Sequence, residues 1–169
     1  QSIEYNYGGA KSYANLSKVL TDSDKKEEGV KYLHKGFELF PNDSWMLVEL
    51  INHYMLGGEP QKAADYLDKA IALDPNYADP YINLSNIYTE EANVVGNQMN
   101  DLGLSKADRL KSDKLKAERN AIFDKAIPYM EKILELQPDN SSIYKGLRTI
   151  YYQLERVEEM KTLKEKYGN

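Results

Sequence analysis

Pro41 and Pro75 stand 34 residues apart, and each closes one amphipathic stretch shortly before another opens. Proline lacks the N–H that a helix interior needs, and its ring collides with the carbonyl four residues back, so both positions end helices. The stretch from Lys69 to Tyr88 shows the consequence. Ala70, Ile71 and Leu73 finish one apolar stripe, Asp74-Pro75 breaks it, and Tyr81, Leu84, Ile87 and Tyr88 open the next. Pro80 falls in the first turn of the second helix, where a missing N–H costs little. Asn76 and Asp79 flank that start and are placed to accept from its free backbone donors. Helix pairs punctuated at constant spacing predict an array in which each pair buries its apolar face only by stacking on its neighbours.

The period can be followed residue by residue. With the proline as position 32, units begin at Ala10, Ser44 and Ala78. Position 4 then holds Tyr13, Leu47 and Tyr81, position 7 holds Leu16, Leu50 and Leu84, and position 11 holds Leu20, Tyr54 and Tyr88. Positions 20 and 27 hold Gly29 and Gly36, then Ala63 and Ala70. Small residues at those two places predict helix axes that approach closely. This pattern resembles the tetratricopeptide repeat, a 34-residue helix–turn–helix unit. The resemblance covers the whole chain and implies an all-α, right-handed superhelical solenoid of antiparallel helix pairs.

In this register, residues 10–43 and 44–77 are regular units. The third unit, 78–140, closes at Pro138 and is 29 residues longer than its neighbours. The fourth, 141–169, repeats Tyr144, Leu147 and Tyr151 at positions 4, 7 and 11. Its second helix has an apolar line of Val157, Met160, Leu163 and Tyr167 between charged faces, which suits the polar cap of a solenoid. Upstream, Ser2 to Tyr7 align with Ala70 to Pro75, so residues 1–9 read as the tail of a preceding repeat in one continuous domain.

The long third unit predicts two lengthened helices forming an antiparallel hairpin that projects from the array. Glu90 to Met99 prolong the first helix, and Asn100 to Gly103 form the tip. Ser105 with Asp108 is a capping-box start for a helix running from Lys106 to Leu136, with Ala107, Leu110, Ala117, Ala121 and Ile122 along one side. Pro128 lies inside that helix and predicts a kink or break. Lys106 to Lys125 carry seven basic and four acidic residues, a slightly basic arm on a chain of net charge -5. The repeat contacts are expected to survive without the arm.

Catalysis finds no support in the residues. There is no cysteine, and His34 and His53 lack any ligand-spaced partner. Gly57-Gly58-Glu59-Pro60 lacks the lysine and hydroxyl residue of a phosphate loop, and the acidic clusters lack calcium-loop spacing. No enzyme activity, metal or cofactor is expected. The net charge argues against a nucleic-acid partner, and no apolar run is long enough for direct membrane insertion.

What remains is recognition by a surface. In the family, the first helices line a groove through positions 2, 5, 6, 9, 12 and 13. Carried onto this chain, these give Lys11, Asn15 and Lys18; Trp45, Glu49 and Asn52; Asn83, Asn86 and Thr89; and Lys145, Thr149 and Tyr152. An asparagine amide can both donate to and accept from an extended peptide. Trp45 reads equally as an aromatic anchor or as packing against the preceding second helix. A carboxylate clamp of the chaperone-binding kind is disfavoured, since Glu49 and Asp79 would repel the ligand.

The expected function is a non-catalytic scaffold that binds a protein or peptide through its groove or its arm. The alternative is an accessory or oligomerisation region of a larger protein with an active domain upstream; self-association is a third possibility. Similarity to bacterial repeat proteins with an elongated penultimate unit implies a periplasmic or envelope location, with the cytoplasm as the alternative.

Overall fold

A computed structural model describes residues 9–168. The proposed tail of a preceding repeat lies outside these residues, apart from Gly9. Eight α-helices and no strand occur among them: α1 (Gly9–Asp22), α2 (Lys26–Leu39), α3 (Ser44–Leu56), α4 (Pro60–Leu73), α5 (Ala78–Asn100), α6 (Lys106–Leu136), α7 (Ser141–Gln153) and α8 (Val157–Tyr167). The chain divides into two compact units, residues 1–75 and 76–169.

In the first unit α1 pairs with α2 and α3 with α4, and α3 seats against both α1 and α2. The apolar positions of the repeat supply the core: Tyr13, Met46, Leu47, Leu50, Ala63 and Leu67 are buried. Gly29 and Gly36 are where the helices come closest. A Cβ on Gly29 would lie 2.7 Å from the backbone oxygen of Ser17, and one on Gly36 would lie 2.6 Å from Tyr13 Cβ. Helix ends follow the expected chemistry where a short polar residue precedes the first turn. Asp43 accepts from the backbone N–H of Met46 at 3.1 Å, an arrangement whose loss costs about 1 kcal/mol.

The second unit pairs α5 with α6 and α7 with α8, and α7 packs on α6. Asn140 caps α7 by accepting from Ile143 N–H, and Ser105 and Asp108 form both halves of a capping box. At α5 the N-cap is Tyr77, whose side chain makes no capping bond. Asp79, expected to cap, instead accepts from the Tyr77 hydroxyl at 2.8 Å.

Three expectations for the long unit change. Helix α6 does not break at Pro128 and is helical throughout its 31 residues. Pro128 is exposed while Ala126, Ile127 and Met130 beside it are buried. The ring therefore lies on the solvent side, and burial of its neighbours offsets the proline's cost of about 3 kcal/mol. The apolar line differs too. Ala107, Leu110, Ala117 and Ala121 are exposed, and the buried residues are Leu115, Ile122 and Phe123. Arg119 fills the turn between them, its guanidinium 5.7 Å from the Phe123 ring.

Finally, the hairpin is not separable from the core. Ala92, Val95, Leu115, Ile122 and Phe123 share one apolar cluster with Met130, Leu134, Leu147, Ile150, Tyr151 and Leu163. Asp124 accepts from Arg156 Nη2 at 2.6 Å, and Lys116 reaches Glu155 at 3.9 Å, so α6 is tied to the turn between α7 and α8.

That turn has a backbone counterpart in the first unit. Position 15 of the register is Asp24, Gly58 or Glu155, with φ of 61°, 73° and 59°. All three are left-handed, a conformation that costs a residue with a Cβ about 1–2 kcal/mol. Glu155→Gly is therefore expected to raise the urea midpoint, by about 1 kcal/mol of stability. The exposed Lys116 contact that it loses is worth little. A lowered midpoint would show that the glutamate side chain matters more than the strain.

Candidate partner-binding surface

Each first helix of a pair is amphipathic, so burying one face leaves an ordered line of side chains on the other. On α1 the buried Tyr13, Ala14 and Ser17 leave Lys11, Asn15 and Lys18 exposed. On α3, Met46, Leu47, Leu50, Ile51 and Tyr54 are buried; Trp45 and Asn52 are exposed and Glu49 is half-buried. On α5, Asn86 is exposed, with Asn83 and Thr89 half-buried. Lys145, Thr149 and Tyr152 are exposed on α7. The lines on α1 and α3 belong to the first unit, and those on α5 and α7 to the second.

These side chains differ in what they still have to offer. Thr89 donates to the backbone oxygens of Ser85 at 2.8 Å and Asn86 at 3.1 Å. Thr149 likewise donates to Lys145 O at 2.9 Å. Both hydroxyl protons are thus spent on their own helices. Among the described residues, no protein group hydrogen bonds to the side chains of Asn15, Asn52, Asn83 or Asn86. Each keeps an unused amide, able to donate and accept.

Trp45 is 48% exposed, and the Lys11 ammonium lies 5.4 Å from its ring centre. That cation comes from α1, the preceding first helix. A cation over an exposed indole contributes about 0.5–1 kcal/mol. The contact joins the lines of α1 and α3 into one patch with an aromatic surface still open to solvent.

Sequence reasoning missed a second aromatic group, where α2, α3 and α4 meet. Tyr54 and Tyr66 stack with ring centres 5.8 Å apart, and Phe37 meets Tyr66 edge-on at 5.3 Å. The His34 Nε2 and Tyr54 hydroxyl are 2.7 Å apart, while Lys69 covers Phe37 at 4.5 Å. Burial lowers the pKa of His53, whose ring lies 5.2 Å from Tyr54. Burial is also the main cause that raises the pKa of Tyr66. The only sequence signal was the surplus of tyrosine, 14 against three phenylalanines. The group ties three helices together and occupies both histidines. No cluster of three or more metal-binding side chains occurs among the described residues.

In the second unit, burial and a 2.6 Å hydrogen bond to Glu131 raise the pKa of Tyr151. The phenol is thereby kept neutral and serves as a donor linking α7 to α6. No helix among the described residues is long and apolar enough to cross a membrane.

Comparison with known proteins adds to this geometry. The family model described as Tetratricopeptide repeat matches residues 10–43, the span of the first unit of the register, and again 123–140, the C-terminal part of α6 and the turn after it. These residues carry tetratricopeptide repeats within the chain. No curated protein matches this repeat protein in sequence.

Among solved structures, a TPR repeats protein from Bacteroides fragilis is 19% identical with a TM-score of 0.58; the match covers 89% of this chain and 70% of that one. A monomeric IFIT1 mutant with m7Gppp-AAAA is 18% identical with a TM-score of 0.52, over 99% of this chain and 35% of its own. The human IFIT1 dimer with m7Gppp-AAAA is 17% identical with a TM-score of 0.50, over 99% and 33%. This repeat protein thus spans about a third of the IFIT1 chains it resembles. At these identities the likeness establishes the all-α repeat fold.

Proposed function

We propose that this repeat protein is a non-catalytic scaffold that binds a protein or peptide partner through the exposed lines of its first helices. The observation that carries this is the unused amides of Asn15, Asn52, Asn83 and Asn86 on the first helices of their pairs. Unused amides suit the backbone of an extended chain, and Trp45 supplies an apolar anchor on the first unit. A nucleic-acid ligand of the IFIT1 kind is disfavoured by the net charge of -5 and by Glu49 within the line. A periplasmic or envelope location belongs to the proposal through the family resemblance alone.

Capture from a lysate tests it. The double variants Asn15→Ala/Asn52→Ala and Asn83→Ala/Asn86→Ala are expected to lose captured protein by about tenfold, which corresponds to about 1.4 kcal/mol. Their helical circular dichroism should stay unchanged. Undiminished capture by both variants would remove the first-helix lines from the account.

A further inference from the structure

Within each unit, a helix pair is covered by the first helix of the next pair. Helix α3 seats on α1 and α2, and α7 packs on α6 of the α5–α6 pair. Within its unit the α7–α8 pair has no such cover. Its open side is a trough of about 750 Å³, floored by Tyr144, Tyr152, Val157 and Met160. Tyr152 is 74% and Val157 54% exposed. The charged residues along the trough are Arg148, Lys161 and Lys164, with no carboxylate among its lining. Lys161 is held by Glu158 at 2.7 Å, whereas Arg148 and Lys164 have no carboxylate partner among the described residues. The opposite side of α8 is net acidic, with Glu158 and Glu159 beside Glu131 and Glu135 of α6 against the single Lys166.

We propose that the α7–α8 trough docks an acidic amphipathic helix of a partner protein. The shape follows from the helix-on-pair packing used elsewhere in each unit, the apolar stripe from the floor, and the acidic flank from the basic rim. This rests on the partner-binding reading and names the chemistry of one end of it, since Thr149 and Tyr152 belong to both surfaces. Basic and acidic sides of α8 give the selectivity, because a basic helix would meet like charge along the trough.

The test uses the full chain and two synthetic helical peptides of about five turns. One has leucines along one face and glutamates elsewhere; the other replaces every glutamate with lysine. Fluorescence anisotropy is expected to show binding of the glutamate peptide alone, weakening with added salt. Arg148→Glu/Lys164→Glu should reduce that binding by at least about tenfold. Both positions are exposed, so the fold is not at risk.

Equal binding of the lysine peptide would overturn the proposal, as would an unchanged affinity in the charge-reversed variant. If sedimentation shows self-association that the same variant abolishes, the occupant is a second copy and the proposal fails. If the glutamate peptide is released by Asn83→Ala/Asn86→Ala but not by charge reversal, the trough is wrong while the first-helix reading stands.

Discussion

Gly36→Leu is expected to destabilise the first unit by about 3 kcal/mol, the upper part of the range for overpacking. The Cβ alone would lie 2.6 Å from Tyr13 Cβ and 2.7 Å from Met46 Cε. The methionine end can swing away, but Tyr13 Cβ is fixed to the backbone of α1. Accommodating leucine therefore means separating α1 from α2 and lifting α3, which loses contacts along three helices at once. The sign of the effect is itself informative. In an exposed helix, replacing glycine by a residue with better helix propensity stabilises by about 0.5–1 kcal/mol. Lys35→Leu, one residue earlier and exposed, serves as the control and should leave the urea midpoint nearly unchanged. A Gly36→Leu midpoint within error of the parent would mean that the helices are not in close contact there.

Replacing residues 91–123 with Gly57 to Pro60 restores the 34-residue period, yet is expected to unfold most of the second unit. The exchange removes Ala92, Val95, Leu115, Ile122 and Phe123 from a cluster that includes Leu147, Ile150 and Leu163 of the last pair. Loss of one large buried apolar side chain costs about 2–5 kcal/mol. Three such losses approach or exceed the total stability of about 5–15 kcal/mol usual for a domain. Removing only residues 98–112, with a short glycine-containing turn in their place, keeps all five cluster residues and should preserve the fold. Circular dichroism distinguishes the two: the long exchange loses helix well beyond the deleted residues, and the short one does not. Equal retention of helix in both would show that the hairpin is an appendage after all.

The contrast between these predictions marks what the sequence made legible. Tyr13, Leu47, Leu50, Leu84 and Leu147 recur at register positions, and their burial follows from the period. Gly29 and Gly36 could be recognised as contact points because only a missing side chain explains glycine twice in one helix. Within the hairpin no period applies, and alanines at helical spacing made a false stripe. Ile122 alone of the expected line is buried, and its partner is Leu115, seven residues earlier with Arg119 between them. Of the kink or break expected at Pro128 the break does not occur, because a proline's effect depends on which side of the helix faces solvent, and local sequence does not state that. The left-handed turns were equally hidden at Asp24 and Glu155, where residue type does not reveal backbone conformation.

For the candidate surface, the register supplied the lines of residues, and the structure shows their exposure and remaining hydrogen-bonding capacity. The Lys11–Trp45 contact and the free amides needed coordinates, because neither spacing nor residue type says which polar groups are already satisfied. The threonines illustrate the point. Thr89 and Thr149 looked like contact residues, and each spends its hydroxyl proton on its own helix.

Photocrosslinking from defined positions tests the central claim most directly. A benzophenone side chain is placed at Asn52 or Asn86 on the first helices, and at the exposed Lys35 or Asp68 on the second helices. Partner-binding through the first-helix lines predicts a discrete crosslinked protein from Asn52 and Asn86, absent from Lys35 and Asp68. Crosslinks from Lys35 and Asp68 alone would contradict it and move the binding surface to the second helices.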